Sequence, residues 1–311
     1  MRASPLKSLL WLIAANLAVF LTLAIVGNAL IYFVLPLWGI DLRGSIPAHE
    51  FAWAMVFGFG GAFVSLLFSK PMARSMYPMQ PVIEPKTPKE ILVYNTVREL
   101  SERAGIRMPE VWVYWDDAPN AFATGPSRNN AMVAVSSGLV ELLDDDEVRA
   151  VLAHEIGHIA NGDMITTTML QGLMNTFVYF LASMIARIVA SNRDGETNFF
   201  LYYLVASILQ ILFGILASIV VFWHSRRREF AADRFAARMV GAAPMISALR
   251  KLDAFTKALP APEEEGAPAQ ADPLATLKIY NRTGKISQLF MTHPPIEARI
   301  AALEALAREG R

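Results

Sequence analysis

The residues that could do chemistry stand closest together in VLAHEIGHIANGD, residues 151–163. His154 and His158 are four residues apart, so on a helix both imidazole rings project from one face and can bind one metal ion. Glu155 would lie beside that ion, where it can take a proton from an attacking water molecule. The alternative is a solvated helix face that carries two histidines by chance. Because the chain has only five histidines, we favour a catalytic Zn²⁺ site.

The composition limits both the ligands and the class of protein. The 311 residues include no cysteine, so a metal ion must be held by His, Asp or Glu. Hydrophobic residues make up 54% of the chain and the mean hydropathy is +0.36, which is too apolar for an ordinary soluble protein. The formal net charge is zero, so nothing indicates a nucleic-acid partner.

The third metal ligand does not follow the motif directly. A metzincin would need glycine three residues after His158 and histidine six residues after it, but Asn161 and Met164 occupy those positions. This excludes the metzincin class. A carboxylate from a later helix is the remaining source of a third ligand.

The spacing of the later apolar segments indicates which carboxylate this is. Met164–Ala190 and Phe199–Trp223 are joined by a short loop and should pack as an antiparallel hairpin. At 1.5 Å per helical residue, His158 lies about 9 Å beyond one end of this hairpin and Glu229 about 7–8 Å beyond the other. Glu229 is therefore the predicted third ligand. Asp233, one turn further on, is predicted to accept the second ring N–H of a ligating histidine.

Nearby arginines offer both acids an alternative role. Glu229 could instead pair with Arg226 or Arg228, and Asp233 could pair with Arg234. The sequence leaves these alternatives open.

Four apolar segments are long enough to span a bilayer, whose hydrocarbon core is about 30 Å thick. They are Leu9–Trp38, Ala48–Ser69, Met164–Ala190 and Phe199–Trp223. Lysine and arginine are enriched in the polar regions before the first segment, after the second and after the fourth. The positive-inside rule therefore predicts that both termini and both polar regions are cytoplasmic.

These segments divide the chain into four parts. Residues 1–69 and 164–224 are predicted transmembrane hairpins, and residues 70–163 and 225–311 are the two halves of a cytoplasmic domain. A capping box at Thr87 predicts a helix that ends at Gly105. Short strands are predicted at Val111–Trp115, Ala121–Gly125 and Ala131–Ser136, and a surface loop at Leu259–Asp272. The fold class is a mainly α membrane protein with a small α+β domain.

Four motifs in order, HEIGH, EFAAD, PNAFATG and THPP, occur in a chain with two membrane hairpins. Together they resemble the HtpX family of bacterial membrane zinc metalloproteases, relatives of the CAAX prenyl endopeptidases. The likeness covers nearly the whole chain. It implies a gluzincin-like domain in which His154, His158 and Glu229 bind Zn²⁺ and Glu155 is the general base.

The resemblance also implies a biological role and auxiliary residues. Members are quality-control endopeptidases of the bacterial inner membrane. They cut misfolded or damaged membrane proteins at the cytoplasmic face, often alongside an FtsH-type protease. Asn120 would lie near the substrate backbone, and His293 and Arg299 would form an auxiliary catalytic pair. His293 could donate a hydrogen bond to the oxyanion, or it could be a loop residue before a helix that begins with prolines.

Substrate binding also has a physical basis in the sequence. A protease needs an extended substrate, which can pair as an added strand with an exposed sheet edge. Asn120–Gly125 is the candidate edge, and its first residues, Asn120, Ala121 and Phe122, are predicted to contact substrate. The alternative is an ordinary turn followed by a strand.

Three other functions fit the sequence less well than a protease. In an intramembrane protease of the site-2 type the motif lies within a span, but here the acidic run 144–147 and residues 161–163 flank it. A membrane adaptor or holdase with a structural zinc ion would normally need four protein ligands, and the sequence offers three strong ones. A transporter fits least, because the apolar segments carry few charges.

Overall fold

The computed structural model describes residues 21–40, 46–192, 196–258 and 293–309. The chain divides into two compact units, one of Met1–Ser65 with Thr168–Ser218 and one of Leu66–Thr167 with Ile219–Arg311. The described helices are α1 (Leu21–Leu37), α2 (Ile46–Leu67), α3 (Ser69–Met76), α4 (Pro88–Ala104), α5 (Ser137–Leu142), α6 (Asp145–Asn161), α7 (Asp163–Ala190), α8 (Phe199–Val240), α9 (Ala242–Ala258) and α10 (Ile296–Glu309). The described strands are β1 (Met79–Pro81), β2 (Glu110–Tyr114), β3 (Ala121–Ser127) and β4 (Asn130–Ser136).

Three described helices are long and apolar enough to cross a membrane. They are Pro47–Leu67 within α2, Asp163–Ala190 and Phe199–Val240. They match three of the four predicted spans. The first predicted span, Leu9–Trp38, begins outside the described residues, and its described part forms the shorter apolar helix α1. The loop predicted at Leu259–Asp272 also lies outside the described residues.

Small residues let the helices of the first unit approach closely. A Cβ atom at Gly58 would lie 2.4 Å from the hydroxyl oxygen of Thr176, and one at Gly60 would lie 2.4 Å from Leu23. Because no side chain fits in these gaps, α2 contacts α7 and α1 through glycine. Arg187 of α7 forms an ion pair with Glu50 of α2, which adds a polar contact between the same two helices.

The second unit contains a four-stranded sheet with the order β1-β2-β4-β3. β2 and β4 are parallel, whereas β1 pairs with β2 and β3 pairs with β4 in antiparallel fashion. The strand β1 was not predicted, because its three residues include no alternating apolar pattern. β3 has no second strand neighbour among the described residues, so it forms an edge of the sheet.

Capping residues set the start of the two helices that support the sheet. The side chain of Thr87 accepts a hydrogen bond from the Glu90 N–H at the start of α4, and Asp144 accepts one from the Glu147 N–H at the start of α6. In both helices the glutamate reciprocates with the backbone of the capping residue. The predicted helix start at Thr87 is therefore confirmed, and α6 begins in the acidic run that precedes the histidine motif.

Helix α6 lies in the centre of the second unit. Its apolar side chains pack against the sheet and against α4 and α9, and the following residues are fully buried: Val148, Val151, Leu152, Ile156 and Ile159. This helix carries the histidine motif. The motif is therefore held by the hydrophobic core rather than by a surface loop.

The apolar segment and the polar segment that follows it form one helix. The sequence divides Phe199–Trp223 from the polar residues after Ser225, but α8 continues through both, from Phe199 to Val240. Residues 224–229, HSRRRE, include neither glycine nor proline, so nothing interrupts the hydrogen bonds of the helix. Glu229 and Asp233 therefore lie on the helix that begins as a membrane-spanning segment.

Candidate metal centre

Three side chains converge where α6 meets the polar half of α8. The Nε2 atoms of His154 and His158 lie 3.1 Å apart. The Glu229 carboxylate lies 3.3 Å from the Nε2 atom of His158 and 3.5 Å from that of His154. Ligands bound tetrahedrally at about 2.0–2.1 Å from one ion stand about 3.3 Å from each other. The three groups therefore fit a common metal ion.

The outward nitrogens of both rings are held by carboxylates. His154 Nδ1 lies 2.9 Å from Asp233 Oδ1, and His158 Nδ1 lies 2.7 Å from Asp163 Oδ2. A ring that donates from Nδ1 presents the lone pair of Nε2 to the centre. Two such lone pairs beside a buried carboxylate form a site for a cation, which is a metal ion or, in its absence, a proton on one of the rings. This arrangement of donors supports a metal ion on chemical grounds.

Asp163 is a functional candidate that the sequence analysis did not identify. It is the first residue of α7 and is 6% exposed. Gly162 precedes it with a φ of +73°, a left-handed conformation that ends α6 and starts α7 in a new direction. This turn brings Asp163 back to His158, five residues earlier. The pair Asn161-Gly162 is typical of a helix end, but it does not indicate the direction in which the Asp163 side chain points.

Glycine also permits the close approach of α6 and α8. A Cβ atom at Gly157, in the middle of the HEIGH motif, would lie 3.1 Å from the ring of Phe235 on α8. Arg228 of α8 donates a hydrogen bond of 3.0 Å to the carbonyl oxygen of Asp163. These contacts lie on both sides of Glu229 along α8. They place its carboxylate opposite the two histidines.

Arg299 forms a buried ion pair behind the centre. It is 0% exposed, and its guanidinium donates two hydrogen bonds, of 2.6 Å and 2.8 Å, to the two oxygens of Asp233. Its Nη1 atom lies 3.5 Å from the Glu229 carboxylate. Asp233 therefore pairs with Arg299 from the last described helix, and the alternative pair with Arg234 is not what the structure shows.

His293 lies on the other side of the Glu229 carboxylate. Its Nδ1 atom is 2.7 Å from Glu229 Oε2, but neither of its two buried ring nitrogens has a partner with hydrogen-bond geometry in the described part of the chain. A buried ring nitrogen without a partner is unusual, because an unsatisfied polar atom costs free energy. Its position beside the centre makes it available to a substrate.

The Glu155 side chain is buried in the same cluster. Burial raises the pKa of this carboxyl above its usual value of 4.5, although the charges of His154 and His158 oppose the shift. A raised pKa suits a group that first accepts a proton and then gives it away.

The predicted substrate-contact residues are less accessible than expected. Asn120, Ala121 and Phe122 are 1%, 0% and 2% exposed. The Asn120 side chain donates to the hydroxyl of Tyr114, and its backbone groups are hydrogen-bonded to Ser136. These contacts fix the start of the edge strand from within, and the contact of these three residues with substrate stays a prediction.

The accessible part of the edge begins one residue later. In an antiparallel pair, residues whose backbone groups point toward the partner strand alternate with residues whose groups point away from it. The hydrogen bond from Ser136 N to Asn120 O shows that Asn120 points toward β4. Ala123, three residues later and opposite Val133, therefore points away from β4. Ala123 and Thr124 are partly exposed. Ala123 therefore offers outward backbone groups that are partly exposed, whereas those of Thr124 point toward Met132 of β4.

Comparisons with known proteins match this centre to a family of peptidases. The model of peptidase family M48 matches residues 89–307. This chain belongs to peptidase family M48. The matched residues include both histidines of the motif, Glu155, Glu229 and most of the C-terminal helix. The M48 family is one of metallopeptidases, which agrees with the His-His-Glu group.

Relatives that align with nearly the whole chain are also proteases. Protease HtpX of Pasteurella multocida is 44% identical over 299 residues, which cover 96% of this chain and 98% of that protein. Protease HtpX of Shewanella halifaxensis is 44% identical over 306 residues, which cover 96% of this chain and all of that protein. The resemblance to HtpX is confirmed, and the chain is a membrane metallopeptidase of family M48.

A solved structure shows the same M48 fold. The crystal structure of S. mikatae Ste24p aligns with a TM-score of 0.60 at 18% sequence identity. The alignment covers 93% of this chain and 65% of that one, so this chain spans about two thirds of the length of that protein. The mainly helical fold with a small sheet is thereby confirmed.

Metal binding at this M48 centre should release a proton from His158. Burial lowers the pKa of its ring, but hydrogen bonds with Asp163 and Glu229 outweigh burial and raise the pKa from 6.5 to about 10. Without metal the ring is therefore protonated at pH 7, and a ligating imidazole must be neutral. We expect the affinity for Zn²⁺ to rise about tenfold per pH unit between pH 7 and 9.

Calorimetric titration with Zn²⁺ in two buffers of different ionisation enthalpy measures the number of protons released. At least about one proton per ion is expected at pH 7. Asp163→Asn removes one of the carboxylates that hold the proton and should reduce this number. Zinc binding with no release of protons at pH 7 would contradict this account of His158.

Proposed function

We propose that this M48 metallopeptidase is a Zn²⁺-dependent endopeptidase of the bacterial inner membrane that hydrolyses misfolded or damaged membrane proteins at the cytoplasmic face. The observation that carries the proposal is the spacing of the three ligand atoms, 3.1, 3.3 and 3.5 Å, beside a buried Glu155. Three protein ligands leave one tetrahedral position for water or substrate, which is typical of a catalytic zinc site. A structural zinc ion would normally be enclosed by four.

The chain's own residues perform the proton transfers of peptide hydrolysis. A bound Zn²⁺ ion lowers the pKa of water and polarises the scissile carbonyl. Glu155 removes a proton from the attacking water and delivers it to the leaving nitrogen. The Nε2 atom of His293, which faces no protein partner among the described residues, donates a hydrogen bond to the developing oxyanion.

Arg299 takes a positioning role in this proposal. The sequence resemblance implies an auxiliary catalytic residue, but the guanidinium is fully buried, its Nε and Nη2 atoms donate to Asp233, and its Nη1 atom lies 3.5 Å from the Glu229 carboxylate without a hydrogen bond. Such a group does not reach the reacting atoms. It holds Asp233 against His154 and balances the charge of Glu229, so that the ring and the carboxylate keep their orientation.

Substrate would bind as an added strand along β3. The outward N–H and C=O groups of Ala123 can pair with the backbone of an extended polypeptide. Backbone pairing is independent of side-chain identity, which suits an enzyme that accepts many unfolded sequences. We therefore propose unfolded segments of membrane proteins as substrates, with an FtsH-type protease as a functional partner and the lipid bilayer as the setting.

Asp163 should contribute measurably to metal affinity. It holds the Nδ1 atom of His158 at 2.7 Å, and loss of such an orienting carboxylate costs about 10- to 100-fold in affinity. We expect Asp163→Ala to weaken metal binding by this factor and Asp163→Asn, which keeps an acceptor, to weaken it less. Competition of Co²⁺-loaded protein with a chelator, followed by the visible spectrum of the ion, gives the affinity.

The matched control is Asp146→Ala, which removes an exposed aspartate from the first turn of α6, the helix that carries both histidines. Its Co²⁺ affinity and spectrum should equal those of the wild type. Equal affinity in Asp163→Ala and Asp146→Ala would show that Asp163 has no part in holding the ligand.

The proposed activity and its side of the membrane are tested with the full chain. Purified protein in detergent should contain about one zinc ion per chain and should cleave an unfolded polypeptide. A chelator should abolish cleavage, and added Zn²⁺ should restore it. In membrane vesicles, cleavage of an added soluble substrate should occur when the cytoplasmic face is outward and not when it is inward. Cleavage only in the opposite orientation would overturn the cytoplasmic assignment.

A further inference from the structure

The helix after the second predicted membrane segment carries an exposed apolar face. Phe68 is the N-cap of α3, and Met72 and Met76 follow it at intervals of four residues. These side chains are 57%, 46% and 38% exposed. A spacing of four residues places them in one stripe along the helix. We call these three side chains the α3 stripe.

The other faces of α3 are occupied by protein. Ala73 is buried in a cluster with Tyr114 and Phe122 on one face of the sheet. Lys70 and Arg74 both pair with the carboxylate of Glu110, the first residue of the internal strand β2. The helix is therefore amphipathic, with one face against the sheet, one cationic face and one apolar face that the described residues leave largely exposed.

We propose that the α3 stripe is seated in the membrane surface, at the boundary between lipid headgroups and acyl chains. The argument is continuity with the membrane-spanning segment, because Pro47–Leu67 ends one residue before Phe68. At 1.5 Å per residue, α3 extends about 12 Å, so all of it lies close to the end of that segment. Amphipathic helices of this kind bury their apolar face about 5–10 Å into the interface.

The charges of α3 indicate an apolar rather than an electrostatic attachment. Lys70 lies 2.6 Å from a Glu110 oxygen, and Arg74 pairs with the other oxygen of the same carboxylate. Two cations that already share one anion have less charge to offer to acidic lipids. The stripe should therefore enter bilayers of zwitterionic phosphatidylcholine, without any need for acidic headgroups.

The location of the α3 stripe in the membrane surface would affect which substrates are cleaved, and this consequence rests on the proposed function. Phe122, on the edge strand β3, packs in the same cluster as Ala73 of α3. A helix that lies in the membrane surface would hold this edge strand beside the bilayer. Polypeptide segments at the membrane surface would then reach the strand more readily than soluble ones.

The location of the stripe can be measured directly because the chain has no cysteine. Met72→Cys, labelled with an environment-sensitive fluorophore, is reconstituted as the full chain in phosphatidylcholine vesicles with brominated acyl chains. Glu102→Cys, an exposed position on α4 in the same unit, is the matched control. We expect quenching by the brominated lipid to be about threefold greater at Met72 than at Glu102. Equal quenching at the two positions, with equal access to iodide in the water, would overturn the proposal.

A second measurement tests the consequence for substrates. The variant Met72→Ser/Met76→Ser should lower the ratio of cleavage of a membrane-anchored substrate to cleavage of the same unfolded segment in solution, by about fivefold. Ile91→Ser, which removes an exposed apolar side chain from α4, should leave the ratio unchanged. An unchanged ratio in the double variant would refute the substrate effect. If the wild type cleaved neither substrate, the proposed function would fail, while the lipid quenching would still decide the location of α3.

Discussion

Glu155→Gln is expected to retain metal and lose turnover. The amide keeps the size of the side chain but cannot take a proton from water, and general acid–base catalysis contributes about 10²–10⁴-fold to rates. Glu155 is not one of the three groups that surround the centre, so the metal content should stay at the wild-type level. Cleavage of an unfolded polypeptide and metal analysis of the same purified sample give both quantities.

The control for this experiment is Glu141→Gln on α5, an exposed glutamate in the same unit as Glu155. It should have wild-type activity and metal content. Should Glu155→Gln cleave as fast as Glu141→Gln while it still holds metal, Glu155 would not be the general base. A Glu155→Gln protein without metal would instead place the carboxylate among the ligands.

Arg299→Met is expected to destabilise the protein and to weaken metal binding together. The substitution leaves the Asp233 carboxylate buried without its bidentate partner. Breaking a buried ion pair by removal of one member costs about 3–5 kcal/mol. Because Asp233 also holds His154 at 2.9 Å, the affinity for metal should fall as well. Thermal unfolding in detergent and Co²⁺ competition with a chelator measure the two effects.

The companion variants separate a positioning role from a catalytic one. Arg299→Lys keeps the charge but not the bidentate geometry, so it should recover part of the stability and part of the affinity. Arg250→Met, on the exposed face of α9, removes an arginine from an exposed ion pair and should change neither quantity. If Arg299→Met kept wild-type stability and affinity and only lowered the rate constant for cleavage, Arg299 would contact the transition state, as the sequence resemblance implies.

Much of the local structure could be predicted from short-range patterns. The capping boxes at Thr87 and Asp144 depend on residues three apart, and the structure has both. The membrane helices depend on long apolar runs, and three of them are present among the described residues. Backbone geometry within one element decides these features, so no knowledge of the remaining chain is required.

The candidate site was predictable where helix geometry alone was sufficient. His154, His158 and Glu229 were predicted together from the rise per residue of the helices on which they lie, and the structure places their ligand atoms within 4.8 Å of each other. The position of Asp233 beside His154 follows from one further helical turn. Asp163 could have been found as well, by asking which carboxylate follows the glycine that ends the motif helix.

The remaining features depend on residues that are distant in the chain. Arg299 approaches Asp233 across 66 positions of sequence, and its complete burial supports the positioning role that we propose for it. The edge strand was predicted, but its accessible residues were not. Packing by Tyr114 and Ser136 covers Asn120, and the first free backbone groups belong to Ala123.

The sequence by itself determined the metal-binding helix, its flanking membrane segments and the class of chemistry, because these depend on spacing within single helices and on the number of apolar residues in a row. Only the tertiary structure decided that Arg299, and not Arg234, pairs with Asp233, that Arg299 is buried, and where the sheet edge is accessible. Those outcomes are set by contacts between elements far apart in the chain, and no local pattern encodes which side chains will face one another.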